Sequence, residues 1–417
     1  MSEFIIHGGN RLTGRVKVQG AKNSVLPLLA ATLLTDETCV LHNCPNLSDV
    51  DISIKILRHL GCKVKLEGTT VSITADNVCR SEVPEELMRQ MRSSIVFLGG
   101  ILSRTGFAGM STPGGCELGN RPIDLHLMAL RKLGVTVEET GGFISCRCDR
   151  AEGCDITLGF PSVGATENII LTSCLAKGKT VIRNAAREPE ICDLAEFINK
   201  MGGQIYGAGE GIIVIDGVKR LHGCEHKVIP DRIVACTLMS AAAVTKGDVE
   251  LCDLRVDHII PVMNIFEEMG CVFKTDSGNL RITAPKRLLS PNTIRTMPYP
   301  GFPTDAQALL MAVTSVAQGT TVFIESIFDS RYKHVAELNR LGSNISTDGR
   351  TAIVRGVNKL MGARVESTDL RGGAALAVAG LCAEGETCVT RLCHIDRGYD
   401  RLENQLALLG ADIVRIE

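Results

Sequence analysis

A leucine or methionine followed by glycine and then a short alternating strand recurs at a regular spacing at Leu60-Gly61, Leu133-Gly134, Met201-Gly202, Met269-Gly270, Leu341-Gly342 and Leu409-Gly410. Successive glycines stand 73, 68, 68, 72 and 68 residues apart. A near-constant period of this length marks a supersecondary unit repeated in tandem, and it constrains the fold more than any composition figure. Each pair closes an amphipathic stretch, such as 51–60 or 334–341, where glycine acts as the C-terminal stop of a helix. A short alternating strand follows each pair. Most copies then continue into a second strand, at 70–74, 143–146, 212–215 and 352–354, so each unit ends in a hairpin.

The first half of the unit is shared as well. Stretches rich in small apolar residues, at 26–34, 95–102, 169–175, 235–244, 308–316 and 374–381, each lead through a turn into a β-branched strand such as 179–182 or 319–324. The unit therefore reads β-α-β-α-β-β. Its alanine- and leucine-rich helices carry little charge, which predicts that they lie inside with sheets around them. The sixth copy stops at Glu417 one hairpin strand short, and the alternating segment Glu3–His7 is available to supply it. Six units divide into two lobes of three. One is expected over 22–229, and the other over 1–21 with 230–417, closed by the N-terminal strand. Two chain crossings would form a hinge, with the ligand site expected between the lobes.

Composition removes several classes of function. Formal net charge is −2, with no basic excess to favour nucleic acid or an anionic membrane. Tryptophan is absent, which argues against a base-stacking surface. The longest apolar runs, 95–102 and 374–383, are too short and glycine-broken to span a bilayer. The opening Met1-Ser2-Glu3-Phe4 shows neither a charged n-region nor an apolar core, so a cytoplasmic location is expected. Seventeen cysteines, an odd number and scattered through apolar segments, fit a reducing compartment in which most are small buried hydrophobes. Cys146, Cys148 and Cys154 are grouped without a nearby histidine or a C-x-x-C spacing, so no metal site is expected. Gly178-Lys179-Thr180 is not a phosphate loop, since position 173 is Ser and a strand follows it.

The polar residues gather at the loops that start helices. The first loops of the units carry Lys22-Asn23, Arg92-Ser93-Ser94, Ser162-Val163-Gly164, Asp231-Arg232, Asp305 and Asp369-Leu370-Arg371. The second loops carry Cys116 with Arg121, Arg187 with Glu188, Arg331, and His394-Ile395-Asp396-Arg397. Helix N-termini present free backbone N–H groups, and arginines grip phosphate or carboxylate bidentately, so this pattern points to an anionic ligand. The stretch 113–126 packs three glycines, a thiol and a guanidinium before a helix that Pro122 suits, with Ile123, Leu127 and Leu130 spaced along one buried face. Each residue also has an ordinary reading. Asp231, Asp305 and Asp369 fit simple helix caps, an arginine at a helix start fits a local ion pair, and Cys116 fits one more inert thiol.

The motifs Gly20-Ala21-Lys22-Asn23, Pro113-Gly114-Gly115-Cys116, Arg121-Pro122-Ile123-Asp124-Leu125-His126, Ser162-Val163-Gly164-Ala165-Thr166, Ala185-Ala186-Arg187-Glu188-Pro189-Glu190, Phe302-Pro303-Thr304-Asp305, Thr368-Asp369-Leu370-Arg371 and His394-Ile395-Asp396-Arg397-Gly398-Tyr399 resemble the UDP-N-acetylglucosamine enolpyruvyl transferase family over essentially the whole chain. The resemblance implies an α/β fold, a two-lobed inside-out α/β barrel of six such repeats. It also implies transfer of the enolpyruvyl group of phosphoenolpyruvate to the 3'-hydroxyl of UDP-N-acetylglucosamine, with no cofactor or metal, at the first committed step of peptidoglycan precursor synthesis. By the same resemblance Lys22, Asn23, Arg92, Arg121 and Arg397 would bind phosphoenolpyruvate. Asn23, Arg92, Arg121, Pro122, Ile123, Asp124, Leu125, Ser162, Val163, Gly164, Asp305 and Ile327 would line the nucleotide-sugar site. Cys116 would protonate the methylene carbon or hold an adduct, Asp305 would take or orient the hydroxyl proton, and Arg331, Asp369 and Arg371 would complete the site. Cys116 would also be the target of fosfomycin.

Three features depart from the family pattern: Phe160 where a polar contact is expected, Gly372-Gly373 where many relatives carry Ala-Ser, and the acidic Glu117 in the cysteine loop. Transfer onto shikimate 3-phosphate is the nearest competing reaction, and the thiol loop and the 121–125 segment argue against it. A non-catalytic scaffold would have no need of Lys22, Cys116, Asp305 and Arg397 together. A cysteine hydrolase would need a histidine base near Cys116, and the local one, His126, lies about three helical turns on from it, in the helix following the loop.

Overall fold

The computed structural model of the chain describes residues 2–112 and 123–417. Cys116, Glu117, Arg121 and Pro122 lie outside the described residues. The described chain forms two compact units, one over 20–229 and one combining 2–19 with 230–417.

The repeat is seen without interruption between residues 293 and 355. Strand Thr293–Arg295 leads through the 3-10 turn Thr304–Ala306 into helix Gln307–Thr314, then strand Thr320–Ile324, helix Val335–Arg340 and the hairpin Asn344–Asp348/Thr351–Arg355. The first strand pairs parallel with the second, which pairs antiparallel with the last strand of the hairpin. A parallel pair needs a crossover, and the helix supplies it. The 20–229 unit and the 230–417 unit each contain three four-stranded sheets of this pattern.

The glycines that mark the repeat do one physical job in every copy. Gly61, Gly134, Gly202, Gly270, Gly342 and Gly410 all have positive φ, between 84° and 108°. The next residue then donates its N–H back to the helix: Cys62 to Leu57, Val135 to Leu130, Gly203 to Ile198, Cys271 to Phe266, Ser343 to Leu338 and Ala411 to Leu406. This is the six-to-one bond of the Schellman motif, and the accepting residue is fully buried in all six copies. A residue with a Cβ would meet steric strain at that φ, which is why the period survives as a glycine period.

The small-residue helices are the interior. In the 230–417 unit these are Arg232–Val244, Gln307–Thr314 and Leu370–Gly380, and every residue of Ile233 to Val244 is buried. In the 20–229 unit they are Lys22–Ala31, Phe97–Thr105 and Val163–Ser173. The last of these three approaches the second through Gly99, where an added Cβ would stand 2.8 Å from the Asn168 carbonyl oxygen. The first approaches it through Gly100, where a Cβ would stand 2.7 Å from that of Ala30. Two adjacent glycines thus let one helix touch both of its neighbours. Each unit is an inside-out α/β arrangement, with helices central and sheets outside. The strands form separate sheets rather than one continuous ring among the described residues, because the centre is already filled by helices.

Strand exchange closes the units. Thr13–Lys17 pairs parallel with Asp248–Cys252, and Glu225–Lys227 pairs parallel with Thr38–His42, so the first and fourth repeats each take their opening strand from across the chain. Glu3–His7 lies between Glu386–Thr390 and Asp412–Ile416, antiparallel to both, in the place of the missing hairpin strand. Among the described residues no helix is long and apolar enough to cross a membrane.

Candidate active site

In the 230–417 unit the site is built on Asp305. The 3-10 turn Thr304–Ala306 places its carboxylate so that each oxygen takes one guanidinium, Arg331 Nη2 on Oδ1 at 2.9 Å and Arg371 Nη2 on Oδ2 at 2.9 Å. Both arginine side chains are nearly inaccessible, at 3% and 4%, whereas Asp305 is 27% exposed. The carboxylate is therefore the open end of a fixed cationic bracket. Arg331 also donates to the Thr304 carbonyl at 3.1 Å. Arg371 donates to the Tyr399 hydroxyl at 3.3 Å, which pairs in turn with Thr237 Oγ1 at 2.9 Å. Burial opposes the charge on Arg371, but Asp305 and the Tyr399 hydroxyl raise its pKa further above the usual guanidinium range.

A buried glutamate that the sequence reading missed holds this turn. Glu325 Oε2 accepts from Thr304 Oγ1 at 3.0 Å, and its Oε1 accepts from the amides of Ile327 and Phe328 at 2.8 and 3.1 Å. Ile327 is half-buried beside it. The capping expectation holds for Asp231 and Asp369 and fails for Asp305. Asp231 Oδ1 accepts from the Ile233 and Val234 amides, and Asp369 Oδ1 from those of Arg371 and Gly372, whereas Asp305 caps no helix and serves the arginines. Burial alone would raise the Asp369 carboxyl, but Arg331 and the helix amides hold it below the ordinary value.

His334, also missed, sits fully buried in the same group. Its Nε2 stands 3.3 Å from Met311 Sδ, and its Nδ1 has no partner among the described residues. Burial pushes it down to about 4, with Arg331 adding to the effect against the pull of Asp369. Gly372 explains how it fits, since an added Cβ would lie 2.8 Å from the His334 Cβ. At Gly373 a Cβ would lie 2.1 Å from Ser367 Oγ. An Ala-Ser pair at 372–373 would require His334 and Ser367 to shift. Arg397 is half-buried at the end of the 3-10 turn Leu392–Arg397. The preceding Asp396 is gripped by Arg415 of the last strand at 2.6 and 3.1 Å, and Arg415 also binds Glu403 at 2.8 Å.

In the 20–229 unit Lys22 opens helix Lys22–Ala31, and its ammonium lies 2.8 Å from Asp49 Oδ2 with both side chains buried. Nothing in the sequence pairs these two. Asn23 is half-buried in the same turn, and Arg92 starts the 3-10 turn Arg92–Val96. Ser162 caps helix Val163–Ser173 through the Ala165 amide at 3.4 Å, and Val163 and Gly164 form its first turn. Phe160 is largely exposed just before it. Helix Asp124–Lys132 starts with Asp124 exposed and Ile123 and Leu125 half-buried, so Ile123 sits at the edge of the buried face that Leu127 and Leu130 define. His126 falls in the first turn of that helix. It is buried, with Nδ1 2.9 Å from Asn168 Nδ2, while Asn168 Oδ1 accepts from the Gly99 amide at 2.7 Å. That makes His126 a packed partner of Asn168. Glu167, beside Glu190 and Glu188, has its pKa raised well above the usual range, by burial first and by the two neighbouring carboxylates second. Of the sixteen cysteines described, eight are buried, six half-buried and two exposed.

Six β-α-β-α-β-β units around buried helices carry arginines, a lysine and carboxylates at helix-starting turns, an arrangement suited to an anionic ligand. The sequence profile described as EPSP synthase (3-phosphoshikimate 1-carboxyvinyltransferase) matches residues 6–406. A protein of Caldanaerobacter subterraneus subsp. tengcongensis named UDP-N-acetylglucosamine 1-carboxyvinyltransferase 2 is 52% identical over 416 residues, covering 100% of both chains. One of Carboxydothermus hydrogenoformans, named UDP-N-acetylglucosamine 1-carboxyvinyltransferase 1, is 48% identical, covering 100% of this chain and 99% of its own. Among solved structures, the enolpyruvyl transferase NikO of Streptomyces tendae matches with a TM-score of 0.90 at 26% identity, covering 100% of this chain and 99% of its own. EPSP synthase of Acinetobacter baumannii shares the fold with a TM-score of 0.79 at 19% identity, over 100% of both chains. The chain belongs to the enolpyruvyl transferase family, within it to the group whose curated members carry the name UDP-N-acetylglucosamine 1-carboxyvinyltransferase.

Proposed function

We propose that this protein transfers the enolpyruvyl group of phosphoenolpyruvate to the 3'-hydroxyl of UDP-N-acetylglucosamine, releasing phosphate. The observation that carries the reading is the full-length similarity to relatives of that name, supported by the doubly bracketed Asp305 and the buried Lys22–Asp49 pair. The hydroxyl oxygen adds to C2 of phosphoenolpyruvate while C3 gains a proton, giving a tetrahedral adduct. Loss of phosphate from C2 and of a proton from C3 then restores the double bond. Asp305 accepts the hydrogen bond of the attacking hydroxyl and takes or orients its proton, because its oxygens are acceptors held in fixed directions by Arg331 and Arg371. Lys22, Asn23, Arg92, Arg121 and Arg397 bind the phosphate and carboxylate of phosphoenolpyruvate, where fixed cations act most strongly on developing charge. Cys116 supplies the proton to C3 or holds a covalent adduct. Asn23, Arg92, the 121–125 segment, Ser162 to Gly164, Asp305 and Ile327 bind the nucleotide sugar, with Asp369 supporting the arginines. The reaction would serve peptidoglycan synthesis in the cytoplasm, and with it cell shape and division.

The test is direct. Purified protein mixed with phosphoenolpyruvate and UDP-N-acetylglucosamine should release phosphate, and shikimate 3-phosphate in place of the nucleotide sugar should not. Release with shikimate 3-phosphate alone would reassign the acceptor, and release with neither would leave a scaffold. The epoxide phosphonate fosfomycin should alkylate Cys116 faster when UDP-N-acetylglucosamine is present. Labelling spread over the other cysteines in peptide mapping would remove its special role.

A further inference from the structure

Within the 20–229 unit a line of buried polar groups runs from the protein surface to the turn that carries Lys22 and Asn23. Asp193, on helix Pro189–Lys200, and His226, on strand Glu225–Lys227, have side chains only 1% and 2% exposed, and His226 Nε2 lies 2.8 Å from Asp193 Oδ1. The other carboxylate oxygen, Oδ2, accepts a hydrogen bond from Ser24 Oγ and one from the Ile229 amide at 3.4 Å. On the far side His226 Nδ1 stands 3.1 Å from Lys200 Nζ, and Lys200 is also paired with Glu196 at 2.9 Å. An ammonium can only donate, so Nδ1 is the acceptor there and Nε2 carries the hydrogen given to Asp193. The line therefore has a direction, from Lys200 through His226 to Asp193, with Ser24 donating into its other end.

Its position gives it a use. Helix Lys22–Ala31 starts at Ala21, which offers no side-chain cap. What holds that helix start instead is contact from outside: the Ile229 carbonyl accepts the Ala21 amide at 2.8 Å, and Asp193 takes the Ser24 hydroxyl. Lys22 and Asn23 lie between those two anchors. A fully buried carboxylate costs several kcal/mol unless its partners are well placed, so such a group kept beside this turn calls for a reason beyond packing.

We propose that the Lys200–His226–Asp193 line is a positioning device for the phosphoenolpyruvate-binding turn, fixing through Ser24 the backbone that carries Lys22 and Asn23. The proposal rests on the reading of Lys22 given above, and Asp193, His226 and Ser24 are positioning residues that touch no substrate. Asp193→Asn and Ser24→Ala should raise KM for phosphoenolpyruvate about tenfold while kcat at saturation stays within about threefold, and His226→Gln, which keeps a donor toward Asp193, should retain most of the wild-type affinity. Amide hydrogen exchange over residues 20–31 in the ligand-free protein provides a readout without substrate, and both damaging variants should speed it. Unchanged KM for phosphoenolpyruvate or unchanged exchange would overturn the device. Faster exchange in a protein whose wild type turns over neither acceptor would uphold the device and refute the substrate reading. Should Asp193→Asn not fold, Ser24→Ala decides alone, since it removes one hydroxyl and leaves the buried charge in its other bonds.

Discussion

His334 makes the acid sensitivity of the 230–417 unit a quantity that can be worked out. Burial holds this imidazole neutral, its pKa lowered from 6.5 to about 4. In the unfolded chain it takes up a proton below 6.5, whereas in the native protein it does so only near 4. The stability from His334 is therefore complete above pH 6.5 and is lost progressively as pH falls toward 4. A shift of that size amounts to about 3 kcal/mol in full, of which about 2 kcal/mol is gone by pH 5. For a unit of some 200 residues this loss lowers Tm by about 4–8 °C. Asp369 adds to the loss in the same direction, because its carboxyl is held low, but at pH values below its ordinary 3.8 and so outside this window. The perturbation is His334→Gln, which removes the titrating group and keeps a donor toward Met311. Scanning calorimetry between pH 7.5 and 4.5 should show the wild type losing those degrees and the variant starting lower and losing less. If both proteins show the same slope of Tm against pH, His334 does not titrate as its burial requires and the reasoning fails.

Other outcomes follow from the same structure. Asp305→Asn keeps the shape and loses the charged acceptor, so kcat in the phosphate-release assay should fall about 100-fold or more, and a near wild-type rate would reduce Asp305 to an anchor for two arginines. Glu167 is raised well above 4.5 in the native protein, so it destabilises increasingly as pH rises. Glu167→Gln should therefore raise Tm at pH 8 with a gain that disappears below its ordinary value of 4.5, and a gain equal at both pH values would contradict the linkage. Gly100→Ala should cost about 1–3 kcal/mol through its clash with the Ala30 carbonyl, exceeding the roughly 1 kcal/mol that alanine gains in helix propensity, and an unchanged Tm would refute the close approach.

The repeat and the glycine stops of its helices were determined by sequence alone, because each rests on interactions a few residues long. A glycine forced to positive φ and a bond reaching five residues back are written into Leu60-Gly61 or Met269-Gly270 themselves. The burial of the small-residue helices was legible for a similar reason, since a helix without a polar face has nothing to present to water. What the tertiary structure decided is every pairing between residues distant in the chain. Asp305, a cap by its local pattern, is the carboxylate between Arg331 and Arg371, and Lys22 finds Asp49, twenty-seven positions on. Glu325, His334, Asp193 and Arg415 carry no local signal, because a lone ionisable residue reads the same in sequence whether it faces solvent or a buried partner. Only tertiary packing, such as the exchange of strand 225–227 that carries His226 to Asp193, brings such groups within hydrogen-bond reach in a medium where an unpaired charge is costly.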